Sequence, residues 1–100
     1  MRHEILLLSH AKDDIREAKN YYNTIIPLLG KRFIDDFRIT LNIIAANPFI
    51  YSSRIEGFRT ANLKIFPYYL AYLTHREEIW VLAIAHSARR PEYWISRTLP

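Results

Sequence analysis

The longest uninterrupted apolar run in the chain is Ile79–Ala85, seven residues of which four are β-branched or aromatic. A run of that length fits a strand covered on both faces and is too short to be a helix core of its own. Upstream the apolar positions recur at a different period. Ile15, Ala18, Tyr22 and Ile25 return every three or four residues, with Lys12, Arg16, Lys19 and Asn23 on other faces, which predicts an amphipathic helix ending near Pro27. Phe33, Phe37, Leu41 and Ile44 repeat the pattern in a second helix from about Leu29 to Ala46, whose outer face carries Lys31, Asp35, Arg38 and Asn42. The joint Leu28-Leu29-Gly30 is short, so the two helices should fold back as an antiparallel hairpin. Asn47-Pro48 stops the second one.

Strand patterns flank the hairpin. Ile5 to Leu8 reads as a first strand, and Ser9 is placed to cap the helix that follows, with Asp13, Asp14 and Glu17 near its positive end. Phe49 to Gly57 predicts a loop, with room for a helical turn. Phe58 to Leu63 alternates apolar and polar as a half-exposed strand does, Lys64 to Pro67 turns the chain, and Tyr68 to Thr74 forms the next strand. His75 to Glu78 returns it antiparallel into the Ile79 strand, and Pro91 permits a short C-terminal helix. The order β-α-α-β-β-β predicts an α+β fold, a helical hairpin packed on a small, mostly antiparallel four-stranded sheet.

Composition narrows the class. One hundred residues make one domain, 1–100, and with 50% hydrophobic residues it can build a core without staples. The absence of cysteine excludes disulfides and thiolate metal sites, and no metal or cofactor is expected. Seven apolar residues fall well short of a membrane span, and Glu4 ahead of the first apolar patch argues against a signal peptide, so a cytoplasmic protein is expected. Net charge is +4, with seven Lys/Arg against six Asp/Glu in residues 1–50 and seven against four in residues 51–100. The mild excess in the sheet-forming half suits nucleic acid or an acidic protein partner.

The chemistry gathers where the Ile79 strand ends. His86, Arg89, Arg90, Glu92, Tyr93 and Trp94 follow within nine residues of Ala85. Strict alternation puts His86 on the face of Trp80, Leu82 and Ile84. Metal-independent RNA cleavage needs a base for the 2′-OH, cations for the phosphorane and an acid for the leaving oxygen. His86, Arg89, Arg90 and Tyr93 could form such a set, joined by Arg59, Lys64 and Glu56 if the sheet brings them near. Each has a plainer reading. A histidine ending a buried strand is commonly a satisfied structural residue, arginines in a turn are commonly solvated, and Tyr93 and Trp94 would pin a terminal helix to the sheet. The charged residues from Lys12 to Arg38 read as solvated helix faces.

Several stretches together resemble the RelE/ParE superfamily of toxins from bacterial type II toxin–antitoxin modules, in its ParE-like branch. They are Ala11–Tyr22 (A-K-D-D-I-R-E-A-K-N-Y-Y), Leu29–Phe33 (L-G-K-R-F), Ala46–Pro48 (A-N-P), Phe66–Tyr72 (F-P-Y-Y-L-A-Y) and Ile79–Trp94. The resemblance implies a growth-inhibiting protein held silent by a cognate antitoxin in a hetero-oligomer. It implies one of two targets. ParE-like members inhibit DNA gyrase and are not nucleases; RelE-like members cleave mRNA on the ribosome. RelE-type nucleases resemble one another in carrying several cations on the middle strands, whereas Tyr68–Thr74 and Ile79–Ala85 carry none. That departure favours the gyrase inhibitor, with Arg59, Lys64, Arg89, Arg90 and Trp94 as target-binding residues. The nuclease alternative would use Arg59, His86, Arg89 and Tyr93 as catalytic residues. A binding module without toxicity is the third possibility.

Overall fold

The computed structural model of the chain describes residues 3–55 and 57–97. Their elements are β1 (Glu4–Leu7), α1 (Ser9–Ile25), α2 (Leu29–Ala46), β2 (Ser53–Ile55), β3 (Phe58–Asn62), β4 (Tyr68–His75), β5 (Glu78–His86) and a 3₁₀ turn over Pro91–Tyr93. The four expected strands form one sheet, and the structure adds the three-residue β2 at an edge, inside the stretch expected to be a loop. The strand order is β1-β5-β4-β3-β2. β1 runs parallel to β5, with Ile5 opposite Ile79, and the other pairings are antiparallel. The expected helical hairpin on a mostly antiparallel sheet is therefore the observed fold.

Side chains from both faces of the sheet are buried. On the helix side Phe33, Phe37 and Ile44 of α2 meet Leu70 and Tyr72 of β4 and Ile79, Val81 and Ile84 of β5. On the far side Phe58, Tyr69, Leu82, Ala83 and Trp94 form a smaller cluster. Burial on both faces accounts for the continuous apolar run of β5. The run is interrupted in phase, however. Ala71 pairs with Ala83 while its neighbour Tyr72 pairs with Val81, so Leu82 is an extra residue on β5. Such a bulge places two adjacent residues, Leu82 and Ala83, in the far-side cluster and shifts all later positions by one. His86 thus shares the helix-side face with Ile84, Val81 and Ile79. The expected alternation with Trp80 and Leu82 is corrected by the bulge.

The hairpin closes through backbone devices. Leu28 adopts φ 71°, the left-handed conformation that turns the chain between the helices. A Cβ on Gly30 would approach Lys19 O to 2.6 Å, so only glycine permits this helix spacing, and Gly30 N–H donates to Asn23 Oδ1 at 2.8 Å. Ser9 does not cap α1. The cap position belongs to Leu8, without a side-chain bond, and Lys12 N–H donates to Leu8 O at 3.0 Å. Ile25, expected in the buried stripe, is 52% exposed.

Two acids expected on solvated faces lie inside. Asp36, 1% exposed, accepts from three consecutive backbone N–H groups, Lys64 at 3.2 Å and Ile65 and Phe66 at 2.9 Å each. It therefore ties the middle of α2 to the turn between β3 and β4, an anion in a backbone nest. Asp14 is the other, and it belongs to the site.

Candidate functional site at the outlet of β5

Asp14 sits in α1 one turn from both Ala11 and Ala18, on the buried side of the helix. Its carboxylate accepts from Ile84 N at 3.1 Å, from Tyr93 Oη at 3.2 Å, and from Arg97 through two nitrogens at 2.7 and 3.2 Å. Arg97 also donates to Leu82 O at 2.9 Å. This node joins α1, the bulged part of β5 and the C-terminal segment. Burial works to lower the Arg97 pKa, but hydrogen bonding and attraction to Asp14 outweigh it, so the guanidinium titrates above its ordinary value. Neither Asp14 nor Arg97 was among the residues expected to matter. The available signal was a carboxylate in register with Ala11 and Ala18.

Above the node lies a cleft of about 220 Å³ between α1 and the end of β5, lined by Glu17, Tyr21, Tyr68, His86, Arg89 and Tyr93 among others. His86 is exposed, packs edge-on to Tyr68 at 5.4 Å, and accepts at Nδ1 from Ala88 N–H at 3.1 Å. Arg89 lies over the Tyr93 ring at 4.5 Å, and Arg97 lies 4.8 Å from the same ring. Burial, followed by the neighbouring Tyr68, pushes the Tyr22 hydroxyl up to about 12, and burial likewise raises that of Tyr68. Both phenols stay protonated at neutral pH.

The remaining expected residues are scattered. Arg59 is bound to Tyr51 O and lies 5.0 Å from the Phe49 ring, bracing the segment after α2. It pairs with Tyr72, whereas His86 pairs with Tyr68. Four strand residues separate those positions, about 13 Å along the sheet. Lys64 is exposed on the β3–β4 turn, and Arg90 is exposed beside the 3₁₀ turn. Trp94, expected on a target-binding surface, is 0% exposed; its Nε1 donates to Tyr69 Oη at 2.9 Å and its ring meets Phe58 edge-on. It is the anchor of the C-terminal segment and offers no surface to a target. Glu56 lies outside the described residues. Among the described residues no cluster of His, Asp or Glu could hold a metal ion, and no helix is long and apolar enough to cross a membrane.

Residues 5–91 match the family model for the ParE toxin of the type II toxin–antitoxin system, parDE. The chain belongs to the ParE toxin family. Its fold is similar to that of a chain from the chromosomal ParDE toxin–antitoxin system of P. aeruginosa, at TM-score 0.75 and 18% identity, covering 85% of this chain and 96% of that one. At that identity the likeness speaks for the fold. No curated protein matches the chain in sequence. The ParE family match ends at Pro91, so Tyr93, Trp94 and Arg97, which close the node and the far-side core, lie beyond it.

Proposed function

We propose that this ParE-family toxin acts in the cytoplasm as a non-enzymatic inhibitor of DNA gyrase, silenced by a cognate antitoxin that joins it in a hetero-oligomer. The observation carrying this reading is the separation of the groups a nuclease would need together. Arg59 is about 13 Å along the sheet from His86 and is committed to the Tyr51 carbonyl. The Tyr93 hydroxyl already donates to Asp14. His86 and Arg89 alone supply too little charge for a phosphorane. Exposed Lys64, Arg89 and Arg90 remain as candidate contacts for the target.

The test is supercoiling of relaxed plasmid by purified gyrase. The bare toxin in stoichiometric excess should block it, and prior mixing with the antitoxin should restore it. Unimpaired supercoiling would reject the proposal. In translation reactions mapped by toeprinting, the toxin should create no new mRNA breaks. Breaks that vanish in Arg59→Ala and His86→Ala would establish the ribosome-dependent nuclease instead.

A further inference from the structure

The joint between the two helices ends in consecutive exposed apolar side chains. Ile25, Ile26 and Leu28 are 52%, 56% and 75% exposed, and Pro27 between them is exposed as well. Leu28 holds φ 71°, a backbone that glycine takes freely and leucine only at a cost. Burial does not offset that cost at Leu28, the pattern of a residue kept for what it displays.

The joint stands beyond the end of the sheet. α1 continues about 16 Å from Asp14, which is bonded to Ile84, to Ile25, whereas β5 stops at His86. The backbone of this tip is already bonded. Ile26 N–H donates to Tyr22 O at 3.2 Å, Ile26 O accepts from Leu29 N–H at 3.1 Å, and Leu28 O accepts from Lys31 N–H at 3.1 Å, while Pro27 has no N–H. A tip with so few free backbone groups can enter an apolar medium. Tyr22 and Leu29, on either side of it, pack on the core and hold it in place.

Charge around the tip has one sign. From Ala18 to Ile34 the chain carries Lys19, Lys31 and Arg32 and neither Asp nor Glu. Leu28 shares a groove of about 400 Å³ with Lys19, Asn23, Lys31 and Arg38, whose one acid, Asp35, is engaged by Lys31 at 3.3 Å. The Asn23 carbonyl is taken by Gly30 N–H, which leaves its amide NH₂ as a donor. Nucleic acid would meet the cations and leave the apolar tip in water. A protein partner would have to supply both a hollow for the tip and acids around it. A bilayer of anionic lipid offers both across its surface.

We propose that the helix joint is an interfacial anchor for anionic phospholipid. Ile25, Ile26, Pro27 and Leu28 enter the headgroup–acyl boundary, and Lys19, Lys31 and Arg32 lie against the lipid phosphates. This surface is separate from the outlet of β5, and the assignment stands whether or not gyrase is the target.

The test is co-sedimentation of the full chain with vesicles of phosphatidylcholine, alone or with about 30% phosphatidylglycerol, in about 50 mM salt. Binding to the anionic vesicles should be saturable, at least about tenfold tighter than to the neutral ones, and weakened by added salt. Leu28→Gly and Leu28→Asn both suit the left-handed backbone, so the circular dichroism spectrum should be unchanged while binding falls about tenfold. Lys19→Gln and Arg32→Gln should each weaken it about fivefold, and Arg89→Gln, at the outlet, should leave it within about twofold. No binding to the anionic vesicles, equal binding to both kinds, or full binding by the folded Leu28 variants would each overturn the proposal.

Discussion

The two helices each bury one aspartate against the sheet layer, and the two carboxylates are satisfied in opposite ways. Asp36 is held entirely by backbone, three N–H groups of one turn. Asp14 is held mainly by side chains, Arg97 and Tyr93, with a single backbone N–H from Ile84. The first arrangement cannot be relieved by mutation elsewhere, because its donors belong to the main chain. The second is a buried ion pair, in which either charge is costly alone while the pair adds little over an apolar replacement. One carboxylate is part of the fold's wiring, and the other is an exchangeable fastening for the C-terminal segment.

The largest expected effect follows from separating that pair. Asp14→Ala should cost about 3–5 kcal/mol in chemical denaturation, because Arg97 is left buried without its counter-charge. Adding Arg97→Met should return most of the loss. A double variant no more stable than Asp14→Ala would show that the fastening is not exchangeable. Asp36→Ala should come next, at about 2–3 kcal/mol, since part of its nest is open to water. No change at the flanking side chains should rescue it, and Asp36→Asn, with one acceptor oxygen, should fall between.

A neutral group performs a related task and gives the smallest effect. Tyr72 Oη donates to Pro48 O at 2.6 Å, joining β4 to the segment after α2. Tyr72→Phe should cost about 1 kcal/mol at neutral pH. Burial pushes the Tyr72 hydroxyl up to about 12 from an ordinary 10. Between those values the unfolded chain loses the proton first, so the stabilisation is complete below pH 10 and declines as pH rises toward 12. Stability measured across that window should fall less steeply in Tyr72→Phe. Some slope should persist, because Tyr22 is shifted to about 12 as well.

The contrast between the aspartates also marks what could be read beforehand. The bounds of α2 followed from Phe33, Phe37 and Ile44 and from the Asn47-Pro48 stop, and the hairpin from its short joint. Asp36 was missed by the rule that charge means surface, although it lies in register with Phe33 and Thr40 on the buried stripe. Asp14 was missed likewise, and its partner Arg97 lies 83 residues away in sequence. β2 has too few residues to show an alternation. The candidate site was legible only as a neighbourhood. His86, Arg89 and Tyr93 do meet there, but Arg59 is removed by strand register and Trp94 by burial, neither of which a local pattern reports.

The unmatched Leu82 bears on how this protein could change. Nothing at that position, neither glycine nor proline, marks it as special, yet it acts as a one-residue phase shifter for everything downstream. Deleting it would make the alternation of β5 regular, with Ala83 following Val81 and with Ile84 and His86 still on the helix side, so the imidazole–arginine turn would keep facing Tyr21 and Tyr68. Flattening the bulge with Leu82 kept would instead turn every later residue to the opposite face, so the hold on this outlet lies in the strand's phase as much as in the residues that follow it.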